Sequence, residues 1–128
     1  MNTVISTKNA PGAIGPYSQG IAAQGAQKMI FTSGQLPIDN ATGALETDDI
    51  KKAAKNSLEN CKAVIESAGA KLSDVVKTTV FLTDLNDFAA MNDVYGTYFA
   101  SNPPARSCVQ VAALPKGAKI EIEMLAFA

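Results

Sequence analysis

Apolar and polar residues follow two different periods along this chain, and each period predicts a type of secondary structure. Stretches rich in β-branched and other apolar residues predict six strands. Four lie at residues 3–6, 21–24, 27–35 and 75–83, and the last two lie in "PPARSCVQVAALPKGAKIEIEM" at residues 103–124. Two other stretches repeat apolar residues every three or four positions, as one face of a helix does. The predicted order is β-β-β-α-β-α-β-β.

The first predicted helix covers residues 48–68. Asp48 and Asp49 stand at its N-terminal end, where negative charge is favourable, and Gly69 is placed to end it. Its apolar stripe consists of Ile50, Ala54, Leu58, Cys61, Ile65 and Ala68. Cys61 therefore belongs to the predicted core.

The second predicted helix begins after Asn86 and ends before Pro103 and Pro104, because the residue before a proline disfavours helical geometry. Its apolar positions are Phe88, Met91, Tyr95 and Tyr98. Residues 9–20 contain enough glycine and proline to predict a long loop. A short connection around Gly25 predicts a hairpin between the second and third strands.

These elements fit an α+β fold with one domain over residues 1–128. A chain of this length buries roughly two thirds of its unfolded surface in one core and is too short for two. We expect a mixed sheet with both helices on one face. Charged residues make up 18% of the chain, below the roughly 25% usual in soluble domains, so we expect part of the surface to lie in a homo-oligomeric contact.

Charge and residue content exclude several classes of function. The 11 basic and 12 acidic residues nearly cancel, and no block of like charges occurs, so we expect no nucleic-acid partner. The chain has no histidine, which excludes a histidine-based triad or metal site, and two cysteines alone make a poor zinc site. No apolar run is long enough for a signal peptide or a membrane span, so we expect a cytoplasmic protein.

One arginine among apolar strand residues is the strongest candidate for a binding residue. Side chains alternate along a strand, so Arg106, Cys108 and Gln110 share one face of their strand, and Glu121 and Glu123 share one face of the next. A partly buried arginine needs an anionic partner. That partner is either Glu121 or Glu123 across the sheet, or the carboxylate of a small ligand held by two parallel hydrogen bonds. Spacing alone does not choose between them.

Several motifs occur together and in order along the chain. They are "GPYSQG" at residues 15–20, "FTSGQLP" at residues 31–37, "SLENCKAVIESAGAKLSDVVKTTVFLTDLNDF" at residues 57–88, and the segment at residues 103–124. With these motifs the chain resembles, over essentially its whole length, the RidA/YjgF family of reactive-intermediate imine/enamine deaminases. Each motif alone is common, but their joint occurrence is specific.

The resemblance implies a chorismate-mutase-like fold, a trimer around a central barrel, and clefts between neighbouring subunits. It also implies hydrolysis of 2-imino acids or their enamine tautomers to 2-keto acids and ammonia. Examples are 2-iminobutanoate and 2-iminopropanoate, which pyridoxal-phosphate-dependent dehydratases release. The resemblance implies that this chemistry needs no cofactor or metal.

The resemblance further implies roles for individual residues. Arg106 binds the substrate carboxylate, the backbone N–H of Cys108 helps to hold it, and Glu121 positions the attacking water. The other cleft residues that it implies are Tyr17, Ser33, Gly34 and Asn92. Each of these four also has a structural interpretation, as a packing, turn or core residue.

Two other functions stay open at this point. Members of the family have also been described as ribonucleases and translation inhibitors, although a chain without histidine or a basic patch is poorly suited to RNA cleavage. A non-catalytic sensor or chaperone-like trimer that binds small carboxylates would need Arg106 equally. Only Glu121 discriminates between sensor and enzyme, because a pure binder needs no carboxylate to position water.

Overall fold

The computed structural model describes residues 2–25 and 28–128 and contains six strands and two α-helices among them. The helices are α1 (Ile50–Ser67) and α2 (Phe88–Tyr98). The strands are β1 (Asn2–Ile5), β2 (Gly20–Ala23), β3 (Met29–Phe31), β4 (Val75–Leu82), β5 (Ala105–Gln110) and β6 (Ile120–Phe127). The α+β class and the predicted order of elements are confirmed.

Four of the strands form a mixed sheet in the order β3-β6-β4-β5, in which only β4 and β5 are parallel. β1 and β2 pair with each other in a separate antiparallel sheet. The loop before β2 meets the β5 edge, where Ser18 bridges Ala105. β3 therefore lies at one edge of the four-stranded sheet, and the segment that leads into β2 lies at the opposite edge.

The predicted hairpin between β2 and β3 is wrong for the described residues. β2 pairs with β1, and β3 pairs with the C-terminal strand β6. Residues 26 and 27, which belong to the predicted connection and to the start of the predicted third strand, lie outside the described residues. A short glycine-containing link allows a hairpin but does not require one, because a partner distant in sequence can pair instead.

Both helices pack on one face of the four-stranded sheet. Alternate residues of β4 and β6 are buried against them, as the period of two along a strand requires. The core joins residues of four elements: Leu58, Cys61 and Ile65 of α1, Met91 and Tyr95 of α2, Val80 and Leu82 of β4, and Ile120 and Ile122 of β6. Neither helix combines the length and apolarity that crossing a membrane requires, within the residues described.

The ends of α1 follow from its sequence. Asp49 is the N-cap, and its Oδ1 accepts hydrogen bonds from the backbone N–H groups of Lys51 and Lys52 at 2.9 and 3.2 Å. These bonds satisfy donors that have no partner inside the helix. At the other end Gly69 has a φ of +88°, a left-handed conformation that favours glycine and stops the helix.

Ser57 of α1 is fully buried, and its Oγ has no hydrogen-bond partner among the described residues. An unsatisfied buried hydroxyl is costly, and alanine is the better helix former. We therefore expect Ser57→Ala to raise the free energy of unfolding by about 1 kcal/mol. Urea unfolding at a fixed chain concentration measures this change.

Ser67 provides a matched control on the same helix, because it is exposed and its hydroxyl donates to the Val64 carbonyl at 2.7 Å. We expect Ser67→Ala to change the free energy of unfolding by less than about 0.5 kcal/mol. A loss of stability in Ser57→Ala would contradict the prediction and would show that the buried hydroxyl has a partner in the assembled protein.

Candidate functional site

The Arg106 side chain lies in a cage of three aromatic rings, here called the Arg106 cage. Its Cζ is 4.7 Å from the ring centroid of Tyr95, 5.4 Å from that of Phe88 and 5.5 Å from that of Tyr17. All three distances fall within the roughly 6 Å over which a ring face attracts a cation. The cage thus holds a positive charge without neutralising it.

Of the two kinds of partner that the sequence left open for Arg106, the ion pair with Glu121 or Glu123 is not formed in the structure. Among residues 2–25 and 28–128, the only ion pair joins Lys51 and Asp93 at 3.4 Å. Arg106 Nη1 instead donates to the carboxamide Oδ1 of Asn92 at 2.7 Å. A neutral amide fixes one edge of the guanidinium and leaves its charge without an ion-pair partner among the described residues, so the Arg106 cage can bind an anion.

The loop before β2 is fixed in place by its own polar residues, and this brings Tyr17 to Arg106. The Gln19 amide donates to the carbonyls of Ala10 and Pro11 and accepts from the backbone N–H of Thr7. Ser18, which precedes Gln19, donates its backbone N–H to the carbonyl of Pro104 at 3.0 Å. Pro104 lies two residues before Arg106 on the chain. An irregular but anchored loop therefore supplies one wall of the cage.

A cavity of about 190 Å³ opens beside the guanidinium, lined by Ile14, Tyr17, Phe88, Arg106 and Cys108. The lining is apolar apart from Arg106 and the tyrosine hydroxyl, which suits a small carboxylate with a short side chain. Burial raises the pKa of the Cys108 thiol, and the nearby Arg106 charge only partly opposes this. The thiol is therefore protonated near neutral pH and is no nucleophile.

Glu121 lies on the opposite face of the sheet from Arg106. In the β4–β5 register Arg106 lies opposite Thr78, whose side chain is buried under the helices. Glu121 is level with Phe81 and alternates with Ile120 and Ile122, which point into the helix-covered core. Glu121 must therefore point away from the helices, to the face without them.

The Glu121 carboxylate rests directly on Gly34. A Cβ atom built on Gly34 would lie 2.6 Å from the Glu121 carboxyl carbon and 2.9 Å from its Cγ, closer than real Cβ contacts allow. Ser33, which precedes Gly34, is exposed. Gly34 is thus required here by close approach of a side chain and not by its backbone angles.

The predicted site residues consequently form two groups. Near the β5 edge, the Arg106 half-site contains Tyr17, Asn92, Arg106 and Cys108. Near the β3 edge and on the other face, the Glu121 half-site contains Ser33, Gly34 and Glu121. One copy of the chain does not bring the two half-sites together.

Sequence reasoning missed two residues of the Arg106 cage, Phe88 and Tyr95, by assigning them to the core stripe of α2. The signal was present in their spacing with Asn92. Residues 88, 92 and 95 are separated by four and three positions, which places all three on one helix face.

The described part of the chain contains no candidate metal site, since no group of three or more histidine, cysteine, aspartate or glutamate side chains comes together there.

Substituting Gly34 by alanine is expected to displace the Glu121 carboxylate. Because the added Cβ would overlap both the carboxyl carbon and Cγ, the whole side chain has to move. The resemblance implies that Glu121 positions the attacking water, and a shift of about 1 Å in such a group can cost about 10²-fold in rate, so we expect kcat to fall by about that factor. The measurement is steady-state turnover of 2-iminobutanoate, with thermal unfolding to verify that the fold is intact.

Gly15→Ala is the matched control at the other half-site. A Cβ on Gly15 would lie 3.6 Å from Arg106 Nη2 and 3.8 Å from the Asn92 amide nitrogen, which are ordinary contacts. We expect its turnover to stay within about threefold of wild type. Equal loss in both variants would mean that the close approach of Gly34 to Glu121 has no special role.

Comparison with known proteins places this geometry in a family. The family model described as Endoribonuclease L-PSP matches residues 7–128. A Salmonella typhimurium protein named 2-iminobutanoate/2-iminopropanoate deaminase is 53% identical over 129 residues, which cover 98% of each chain. The structure of Escherichia coli TdcF with bound serine has 49% identity and a TM-score of 0.74, again over 98% of both chains.

A second solved structure, that of the YjgF gene product of Escherichia coli, is 50% identical and has a TM-score of 0.73 over 98% of both chains. The similarity therefore extends over the whole chain in both sequence and structure. It includes the segments that carry both half-sites, since the family match runs from residue 7 to the last residue. The chain therefore belongs to the Endoribonuclease L-PSP family, which is the RidA/YjgF family that its motifs resemble.

Proposed function

We propose that this protein hydrolyses reactive 2-imino acids, or their enamine tautomers, to 2-keto acids and ammonia. The observation that carries the proposal is the Arg106 guanidinium, which is held between three rings beside a small cavity and has no ion-pair partner in the described part of the chain. Curated relatives at 51–53% identity named as 2-iminobutanoate/2-iminopropanoate deaminases support the reaction type. The substrates are small 2-imino acids with short apolar side chains.

Arg106 binds the substrate carboxylate in this proposal. Asn92 occupies one N–H of the guanidinium, and the remaining donors are available for two parallel hydrogen bonds to the carboxylate. The backbone N–H of Cys108, next but one along the strand, adds a further donor. A carboxylate fixed in this way holds the adjacent imine carbon in one orientation, which lowers the entropic part of the barrier.

Glu121 activates water for attack on that carbon. A protonated imine is already electrophilic, so the enzyme has to place one water about 3 Å from the carbon and take up its proton. The Glu121 carboxylate accepts a proton from the water as the C–O bond forms and the C=N double bond becomes single, and it passes this proton to the nitrogen. As the C–N bond then breaks, the new hydroxyl group loses its proton to the departing ammonia, which leaves as ammonium. One water is consumed, and the products are the 2-keto acid and ammonium.

The reaction requires two copies of the chain, because Arg106 and Glu121 lie on opposite faces and near opposite edges of one sheet. The face without helices supports association, since Phe31 is 68%, Met29 54% and Val109 43% exposed on it. A contact that joins the β5 edge of one copy to the β3 edge of the next is head-to-tail, and it forms a ring when the rotation between neighbours closes. We propose a trimer around a central barrel, with each site shared by two neighbours.

The family description makes ribonuclease activity a second candidate. Cleavage of RNA at neutral pH needs an acid–base pair, for which histidine is the usual residue, and the chain has none. Its charge is also balanced, with no basic stretch to follow a phosphate backbone. Incubation of the purified protein with RNA under the conditions of the deaminase assay is expected to leave the RNA intact.

The deaminase assay generates 2-iminobutanoate with an amino-acid oxidase in the presence of semicarbazide, and follows formation of the semicarbazone. The protein is expected to lower semicarbazone formation by hydrolysing the imine first. Lys51→Ala is the matched control, because it removes an exposed cation that does not line the cavity beside Arg106 and whose ion pair with Asp93 contributes little. Unchanged semicarbazone formation with several imino acids would favour a carboxylate-binding sensor over an enzyme.

A further inference from the structure

Beneath Arg106 lies a buried pair of hydroxyl groups that the proposed reaction does not use. The Tyr95 hydroxyl and Thr78 Oγ1 are 2.7 Å apart, and both residues are fully buried. Tyr95 is also the ring that lies nearest to the Arg106 guanidinium, at 4.7 Å. The pair therefore connects the sheet to the floor of the Arg106 cage.

The position of Thr78 links the pair to Arg106 through the backbone as well. Thr78 on β4 is the register partner of Arg106 on the neighbouring parallel strand β5. Their side chains leave the sheet side by side on the helix-covered face, and Tyr95 reaches them from α2. Thr78 holds the Tyr95 ring at its hydroxyl end, and the ring presents its face to the Arg106 guanidinium.

Stability alone does not require this polar contact. Replacing both partners of a buried hydrogen bond by apolar groups of the same shape is nearly neutral for folding. Phenylalanine and valine have the shapes of tyrosine and threonine here, so an apolar pair would fill the same space. What an apolar pair lacks is direction, because a phenol O–H prefers the plane of its ring, so a hydrogen bond at the hydroxyl favours one rotation of the ring, whereas dispersion contacts have no such preference.

The electrostatics of the site agree with this role. Burial raises the pKa of Tyr95 to about 12, and the Thr78 hydrogen bond and the Arg106 charge only partly oppose the rise. The phenol is therefore neutral at physiological pH and faces the cation with its ring. A ring locked in this way favours one plane of the guanidinium.

We infer that Tyr95 and Thr78 act as a positioning pair that sets the plane of the Arg106 guanidinium, and through it the strength of the two hydrogen bonds to the bound carboxylate. This inference rests on the proposed function, in which Arg106 holds the substrate. It predicts that the hydroxyl pair affects the Kd and KM of carboxylates more than it affects kcat.

Two variants separate this role from a structural one. The double variant Thr78→Val/Tyr95→Phe keeps the shape of the pair and removes its hydrogen bond. We expect it to keep a Tm close to wild type, to raise KM for 2-iminobutanoate about fivefold, and to leave kcat within about twofold. Thr78→Ser keeps the hydroxyl and removes a buried methyl, so we expect a lower Tm with a KM near wild type.

If the pair were only structural, KM would rise in the variant that loses stability. Thr78→Ser would then have a higher KM than the double variant Thr78→Val/Tyr95→Phe. A wild-type KM in the double variant would overturn the inference. Calorimetric titration with 2-oxobutanoate separates this failure from failure of the proposed function. Wild type that binds 2-oxobutanoate no more tightly than the double variant would refute only the positioning pair, whereas wild type that neither binds it nor hydrolyses imines would refute both.

Discussion

Arg106→Ala is expected to lower kcat/KM for 2-iminobutanoate by about 10²- to 10⁴-fold. Two charge-assisted hydrogen bonds to the substrate carboxylate contribute roughly 1.5–3 kcal/mol each, and each 1.4 kcal/mol corresponds to about tenfold. The fold should tolerate the change, because Arg106 has no ion-pair partner among the described residues that would be left unpaired. We expect Tm to stay within a few degrees of wild type.

Arg106→Lys tests whether the planar fork is needed as well as the charge. Lysine provides a cation but no pair of parallel donors, so we expect an activity between those of wild type and Arg106→Ala. The semicarbazone assay measures both variants, and 2-oxobutanoate titration measures the loss of carboxylate affinity directly. Full activity in Arg106→Ala would remove this residue from the site.

Mixing two inactive variants is expected to restore activity. Arg106→Ala and Glu121→Ala chains should each be nearly inactive alone, since every site lacks one half. In a ring formed at random from equal amounts of both chains, a site is intact when its arginine comes from one variant and its glutamate from the other. Over all rings about one site in four meets this condition, but in a trimer that contains both variants one of its three sites does, so we expect the mixed trimers to have about a third of wild-type activity.

The two chains are best co-expressed with different affinity tags and purified in tandem, so that only mixed assemblies are assayed. Purified single variants that are mixed without unfolding serve as the control, and they should stay inactive if subunits exchange slowly. Native mass spectrometry gives the number of chains in the mixed assembly. Mixed assemblies without activity would mean that Arg106 and Glu121 act within one chain, which contradicts the half-sites assigned here.

Most of the secondary structure could be predicted from sequence because its signals are local. The apolar stripe of α1, its N-cap Asp49 and its terminating Gly69 all lie within about twenty residues of one another, and the helix forms where they predict it. The pairing of β3 with β6 was missed because their residues are about a hundred positions apart. Nothing local distinguishes that pairing from a hairpin across Gly25.

The candidate site residues could be proposed from the sequence, but their arrangement could not. Alternation along β5 and β6 shows which residues share a face within each strand, but it does not relate the two strands to each other. That relation depends on the register through β4, where Thr78 aligns with Arg106 and Phe81 with Glu121. A shift of one residue in either register would have moved Glu121 to the face of Arg106.

The separation of Arg106 from Glu121 has a genetic consequence. In a ring where each chain gives its arginine to one site and its glutamate to the next, a chain with a single defect inactivates one site. A chain that carries both defects inactivates two sites in whatever ring it joins. Two alleles with different single defects would therefore complement each other in one cell, whereas an allele that combines both would act against a normal copy.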